Sequence, residues 1–312
     1  MQGRQSVTLV TEVSVSTLTA SPVLSSEPEL LADYACEIGE NPLWHPIERR
    51  VYWTDIAAGR LFRYDPATGA HEPCYEGRTV GGFTIQQDGS LLLFMDRGTV
   101  AVWRNGSLTE VIPEIPAETA SRFNDVIADP RGRVFCGTMS SSDCAGRLYR
   151  LDLDGSIHCI MEGVGCSNGM AFTTDHKTFY HTDSYAHEIR VYDYDVETGA
   201  IANRRVFARF AESDGLPDGG TLDSEGRFWT ALWDGYSVVR LRHDGSVEAK
   251  IPFPTKKVSS VTFGGDEYKD LYVTTAGGNK KDENGQPAGS LYRLRTSVRG
   301  LPEYFSRIRQ PA

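Results

Sequence analysis

The chain has 312 residues, 40% of them hydrophobic, with 31 Gly and 15 Pro, and carries a formal net charge of −10. That acidic balance argues against a nucleic-acid or anionic-membrane surface, since both need a dense positive field, and no run of apolar residues is long enough to span a bilayer. The six cysteines, at positions 36, 74, 136, 144, 159 and 166, show neither C-x-x-C spacing nor a regular pairing pattern, and read as buried, reduced thiols of a cytoplasmic protein.

Residues 1–28 lack a continuous apolar core and a cleavage site, so they are not read as a signal peptide. They form an N-terminal extension, an edge strand or a loose segment, in which Val and Leu alternate with Ser and Thr between residues 7 and 18. Residues 29–36 are a short apolar run. From residue 40 one phrase recurs, clearest over residues 121–139 (SRFNDVIADPRGRVFCGTM). A polar or small residue is followed by a short apolar run, a turn rich in Asp, Gly and Pro, and a second apolar run ending in Thr or Asp; this is strand, hairpin, strand. The copies start at Glu40, Gly81, Asn124, Asn168, Asp218 and Ser259, between 41 and 50 residues apart. That is the period of one four-stranded propeller blade. The expected fold is all-β: residues 29–312 form a single six-bladed β-propeller domain, with residues 29–36 donating a strand to the last blade and so removing the ring's free edges.

In chain order, blade one has strands at 42–45, 51–55, 60–65 and 71–76, with a turn at 65–69. Blade two has hairpin turns at 87–90 and 104–107, so the sequon at Asn105 reads as a turn. Residues 114–121 are an irregular connection expected to overhang one mouth of the ring, and together with the longer hairpin 140–146 of blade three they are expected to shape the pocket. Blade four turns at 173–177 and 195–199, and blade five at 224–226 and 243–245. The charged, Gly-rich insertion 277–289 in blade six reads as a mobile surface loop, and the tail after residue 295 has no readable pattern.

Register supplies the candidate chemistry. The six copy starts stand five residues before their hairpin turns, so a propeller places them at one height round the mouth of its channel. Four of the six, Glu40, Asn124, Asn168 and Asp218, carry carboxylate or carboxamide oxygens. Converging there, they need a partner, because like charges repel in a confined site and buried polar groups must be satisfied. A hard divalent cation is such a partner; Ca²⁺, Mg²⁺ and Mn²⁺ suit all-oxygen ligation better than Zn²⁺ or Fe²⁺. The alternative is that Asn, Asp and Gly are simply common where strands begin.

The phrases Gly39-Glu40-Asn41-Pro42-Leu43-Trp44, Arg122-Phe123-Asn124-Asp125, Gly137-Thr138-Met139, Ser167-Asn168-Gly169 and Pro217-Asp218-Gly219 resemble the signatures of the senescence marker protein / regucalcin / gluconolactonase family. The resemblance runs from residue 40 to about residue 295. It implies a six-bladed propeller with one divalent metal at the mouth of the channel, calcium foremost, with Zn²⁺, Mn²⁺, Mg²⁺ or Fe²⁺ as alternatives. It makes Glu40, Asn168 and Asp218 the metal ligands, Arg122 and Asn124 the substrate-binding residues, and Asp218 the general base. In the diisopropyl fluorophosphatase branch the amide matching Asn124 joins the metal. Family members also carry an acidic substrate contact shortly after Gly-Thr-Met, where this chain has Ser140 to Ser142 and then Asp143.

The implied reaction is hydrolysis of a small sugar lactone to its aldonic acid; separately, a closed propeller needs no partner and no hydrophobic surface stripe stands out, so a monomer or weak dimer is the default expectation. A phosphotriesterase-like hydrolase and a non-catalytic, calcium-binding regucalcin-like protein are the alternatives. His45 and His181 read as structural, as do Asp55, Asp96 and Asp183, which share one second-strand position in three blades; Asp125 reads as orienting Asn124 or Arg122. No G-x-S-x-G elbow supports a Ser/His/Asp triad.

Overall fold

The structure is a computed structural model, and it describes residues 27–310. Six four-stranded antiparallel sheets follow one another along the chain. Their innermost strands are Gly39–His45, Val80–Ile85, Phe123–Ala128, Ser167–Phe172, Leu216–Leu222 and Lys257–Gly264. The arrangement is a six-bladed β-propeller. Blade six contains Lys257–Gly264, Asp270–Ala276 and Ser290–Arg295 and is completed by the N-terminal strand Glu29–Asp33, which pairs antiparallel with Ser290–Arg295. The ring therefore closes as the apolar run before blade one suggests. The extension up to residue 26 lies outside the described residues.

Burial explains the graded composition of each blade. The first and second strands of blade two, Val80–Ile85 and Leu91–Met95, are buried throughout, whereas its outermost strand, Ser107–Ile112, is mostly exposed. Neighbouring sheets share a core between their faces. Trp229, Ala231 and Val238 of blade five pack with Val261, Phe263 and Val273 of blade six, and Phe94 and Val102 of blade two pack with Phe123 and Val134 of blade three. Sheet-on-sheet burial of this kind is the main stabilising term.

The repeated positions hold the scaffold in repeated ways. Asp55 accepts the Ile38 N–H (3.1 Å) and pairs with Arg60 (3.0 Å); Asp183 accepts the N–H groups of Gly165 and Cys166 and pairs with Arg190 (2.8 Å); Asp96 pairs with Arg78. Each second-strand Asp is thus an anchor in its blade. His45 accepts the Glu48 N–H at Nδ1 and donates from Nε2 to the Gly89 carbonyl, a turn-holding role.

Three segments differ from the sequence reading. Residues 114–121 do not line the cavity at the mouth: Pro116–Glu118 forms a 3-10 turn whose buried Glu118 accepts from Tyr149 Oη (2.7 Å) and Arg147 (2.9 Å), fastening it to blade three. The insertion 277–289 is built rather than loose, with a 3-10 turn, the short helix Lys281–Asn284, and Asn284 buried against the Gly277 and Lys280 carbonyls. The C-terminal tail crosses the end of the channel opposite the copy starts. It bonds through Gly300 to Tyr268, through Arg299 to Ser224, through Ser306 to Ile85 and Gln87, and through Arg307 to Gly132. These contacts are all distant in sequence, which is why no local pattern announced them. All six cysteines are free, but Cys159 is exposed and Cys74 and Cys144 are only half-buried, so burial is not their common feature.

His181 is fully buried behind the innermost strand of blade four, with Nε2 2.9 Å from Ser167 Oγ and no partner at Nδ1. Burial lowers its pKa from 6.5 to about 4, against the opposing pull of Asp183. Because the folded value is depressed, the stabilisation is complete above the unfolded pKa and is lost as the pH falls from about 6.5 towards 4. Between pH 7.5 and pH 5 this costs the wild type about 2 kcal/mol. Urea unfolding of His181→Gln, which cannot titrate there, is expected to show a correspondingly smaller acid destabilisation. Parallel curves for the two proteins would rule this account out.

Candidate active site

All six innermost strands slip register against their second strands close to the copy start: between Glu40 and Leu43, Val80 and Gly82, Phe123 and Val126, Asn168 and Met170, Pro217 and Gly220, and Val258 and Ser260. A bulge breaks the in–out alternation of a strand and re-aims the side chain it carries. The six copy starts are not equivalent, however. A Cβ at Gly81 would sit 1.9 Å from the Phe123 carbonyl oxygen, so no side chain fits there. Ser259 turns its hydroxyl to the Gly39 carbonyl at 2.5 Å. The oxygen-bearing side chains therefore come from blades one, three, four and five.

Those residues line one cavity of about 240 Å³ with Arg122, Ile38, Met139, Cys166, Ser184, Tyr185, Leu216 and Trp233. Glu40 and Asp218 are buried, at 4% and 5% exposure. Burial, then Asp218 and Asp125, hold the Glu40 carboxyl well above the usual carboxylate range; burial and Asp125 do the same to Asp218, with the Gly219 N–H, Arg122 and Lys257 opposing. Burial pulls the Arg122 guanidinium below its ordinary value, although Glu40 and Asp218 support its charge. One half-buried cation thus faces more buried carboxylate than it can neutralise.

A chain of hydrogen bonds links the amides. Arg122 donates to Asn124 Oδ1 (2.6 Å), and Asn124 Nδ2 donates to Asn168 Oδ1 (2.7 Å) and to the Ser167 carbonyl (2.9 Å). Asn168 Nδ2 donates to Ser184 Oγ (2.8 Å), and Ser184 donates to the carbonyl of Pro217, the neighbour of Asp218 (2.6 Å). Both N–H groups of Asn124 are occupied, which leaves it one acceptor lone pair for any ligand. Asp125 bonds to neither Arg122 nor Asn124. It takes the Gly169 backbone N–H, and burial raises it to about 7. It lines a second, smaller cavity further down the channel, with Glu303 and Tyr304 of the C-terminal tail.

Among the described residues no three His, Cys, Asp or Glu side chains gather closely enough to grip an ion by themselves. The set at this mouth is two carboxylates and a carboxamide, Glu40, Asp218 and Asn168, and its unneutralised buried charge and oxygen donors fit a hard divalent cation. Cys166 adds a thiol to the wall, 3.7 Å and 3.6 Å from the Asn124 and Asn168 amide nitrogens.

Sequence reasoning gave no place in the site to Ile38, Ser184, Tyr185, Leu216 and Trp233, and none to Met139 and Cys166 beyond a signature phrase and a buried thiol. Ile38 and Leu216 could have been found, since each stands two residues before a carboxylate, at the entry to an innermost strand. Trp233 ends the second strand of blade five, and Tyr185 lies in the 3-10 turn Ser184–Ala186 just after the second strand of blade four. The exposed Asp143 is not part of the lining, nor are the other residues of 140–146 and 114–121.

The SMP-30/gluconolactonase/LRE-like region family matches residues 38–277. Pentonolactonase XacC of Haloferax volcanii is 49% identical over 286 residues, covering 89% of this chain and 98% of that protein. Regucalcin of Danio rerio is 33% identical over 287 residues, covering 86% and 94% respectively. A solved structure of luciferin-regenerating enzyme superposes with a TM-score of 0.82 at 27% identity, covering 90% of this chain and 99% of that one. The chain belongs to the SMP-30/gluconolactonase/LRE-like family.

Proposed function

We propose that this chain is a metal-dependent lactonase that opens an aldonolactone to its aldonic acid, and that five-carbon sugar lactones are its preferred class. The observation that carries the reading is the meeting of Glu40, Asn168 and Asp218, from three different blades, with Arg122 and Asn124 in one cavity. The pentonolactonase name of the Haloferax relative supports the substrate class.

Glu40, Asn168 and Asp218 would hold the ion. When bound, it supplies a positive charge that polarises an acyl carbonyl and acidifies water. The guanidinium of Arg122, half-exposed to the cavity and steadied by Asn124, presents a planar fork to the lactone's hydroxyl or carbonyl oxygens. Asn124 accepts a substrate hydroxyl with its remaining lone pair. Asp218, beside the ion, takes the proton of the attacking water. Water oxygen bonds to the acyl carbon, the bond between that carbon and the ring oxygen breaks, and the ring oxygen leaves as a hydroxyl by taking the proton back from Asp218; the new carboxylic acid then ionises. Tyr185, Met139, Leu216 and Trp233 bound the space left for the ring.

A pH-indicator assay tests this directly. Chelator-stripped protein is expected to be silent on xylono-, arabinono-, galactono- and gluconolactone, and acid release is expected to return on adding back Ca²⁺, Mn²⁺, Zn²⁺ or Fe²⁺, fastest on the pentonolactones. Bound metal with no acid release from any lactone would overturn the assignment in favour of phosphotriester hydrolysis or plain calcium binding.

A further inference from the structure

The amide chain has a forced direction, and Ser184 sets it. A backbone carbonyl can only accept, so the hydroxyl proton of Ser184 is committed to Pro217, 2.6 Å away, and only its lone pairs face Asn168. The Asn168 atom 2.8 Å from Ser184 must then be its nitrogen. The carboxamide cannot turn over, and its oxygen stays on the side of Asn124 and the cavity. Ser184 is itself rigidly placed: it is 3% exposed, its N–H donates to the Cys166 carbonyl at 3.0 Å, and the neighbouring Asp183 holds the Cys166 N–H.

The repeat supplies an internal comparison. The residue after the second-strand Asp is Ile56 in blade one and Arg97 in blade two, where it is Ser184 in blade four. The blade architecture therefore does not call for a hydroxyl at this position.

We propose that Ser184 is a positioning residue: it fixes the polarity of the Asn168 carboxamide, so that oxygen rather than NH₂ is presented to a cation, and through Asn124 it steadies Arg122. This rests on the metal-dependent reading above. Without the hydroxyl, Asn168 can present a donor, which a cation cannot use, and the Pro217 carbonyl beside Asp218 loses its partner.

The test is calorimetric titration of the chelator-stripped full chain with Ca²⁺ and with Mn²⁺, for wild type, Ser184→Ala and Ser184→Thr, beside thermal melts of all three in EDTA. Ser184→Ala is expected to weaken metal binding by about 10- to 100-fold, as loss of a ligand-orienting hydrogen bond does, while Ser184→Thr keeps most of the affinity and the melts in EDTA stay close together. Wild-type affinity in Ser184→Ala, equal weakening in Ser184→Thr, or a collapsed melt of Ser184→Ala in EDTA would each overturn the proposal. A wild type that binds neither ion would refute the metal-dependent reading itself, and this inference with it.

Discussion

Asp218→Ala is expected to lower lactone hydrolysis by at least about a thousandfold and to abolish metal binding, because in the proposed mechanism one side chain serves as both ligand and proton acceptor. The fold should survive. Asp218 is buried near Glu40 and Asp125; burial pushes all three acids away from ionisation, and neighbouring carboxylates add to this for Glu40 and Asp218. Deleting one removes an unfavourable interaction from the metal-free protein, so the melting temperature in EDTA is expected to hold steady or rise, the usual trade between stability and activity. Melts in EDTA, calorimetry with the restoring metal and the lactone assay, made on the same preparation, decide the matter. A sharp fall in the EDTA melt would show that Asp218 works for the scaffold.

The other end of the same strand gives the opposite expectation. Asp223, fully buried, accepts from Trp229 Nε1 (2.8 Å), Arg240 Nε (2.9 Å) and the N–H groups of Glu225 and Arg227. Asp223→Ala would leave the Trp229 indole N–H and the Glu225 and Arg227 N–H groups without their acceptor, while Arg240 keeps Glu225 and Glu248, at a cost of about 3 kcal/mol. For a protein of this size that lowers the melting temperature by on the order of 10 °C. Activity per folded molecule at 25 °C should be unchanged, since none of these groups reaches the cavity. Asp129 of blade three has an equivalent set, with Arg133 and the Tyr194 hydroxyl, so the device belongs to the repeat. A lactonase rate that fell with intact melting behaviour would contradict the division of labour along this strand.

Much of this was legible in sequence because a propeller repeats its geometry. The 41- to 50-residue period identified the blades, and one register, counted back from the hairpin turns, picked out Glu40, Asn124, Asn168 and Asp218. What stayed hidden depended on contacts between segments that no period relates. Asp125 sits next to Asn124 in sequence, but the bulge turns it towards Gly169, away from Arg122. Ser184 looked like any residue after a strand until its two hydrogen bonds, to Asn168 and Pro217, gave it a role. The C-terminal tail owes its path to turns of several blades, contributed one or two hydrogen bonds at a time.

The pairing of Glu29–Asp33 with Ser290–Arg295 also orders events in time. Arg293 and Glu29, which join as an ion pair across that seam, are 264 residues apart in sequence. At a ribosomal rate of roughly 5–20 residues per second, the first strand emerges tens of seconds before its partner exists. Five blades can assemble from neighbouring segments during that interval, while the sixth waits for both termini to meet. Joining the ends is then the most non-local step of folding, and the one expected to be slow. Until it occurs, the newly made protein carries an unpaired edge on Ser290–Arg295, open to the matching segment of another copy, so crowding during synthesis, more than weakness of the finished ring, is where this architecture is vulnerable to exchanged strands.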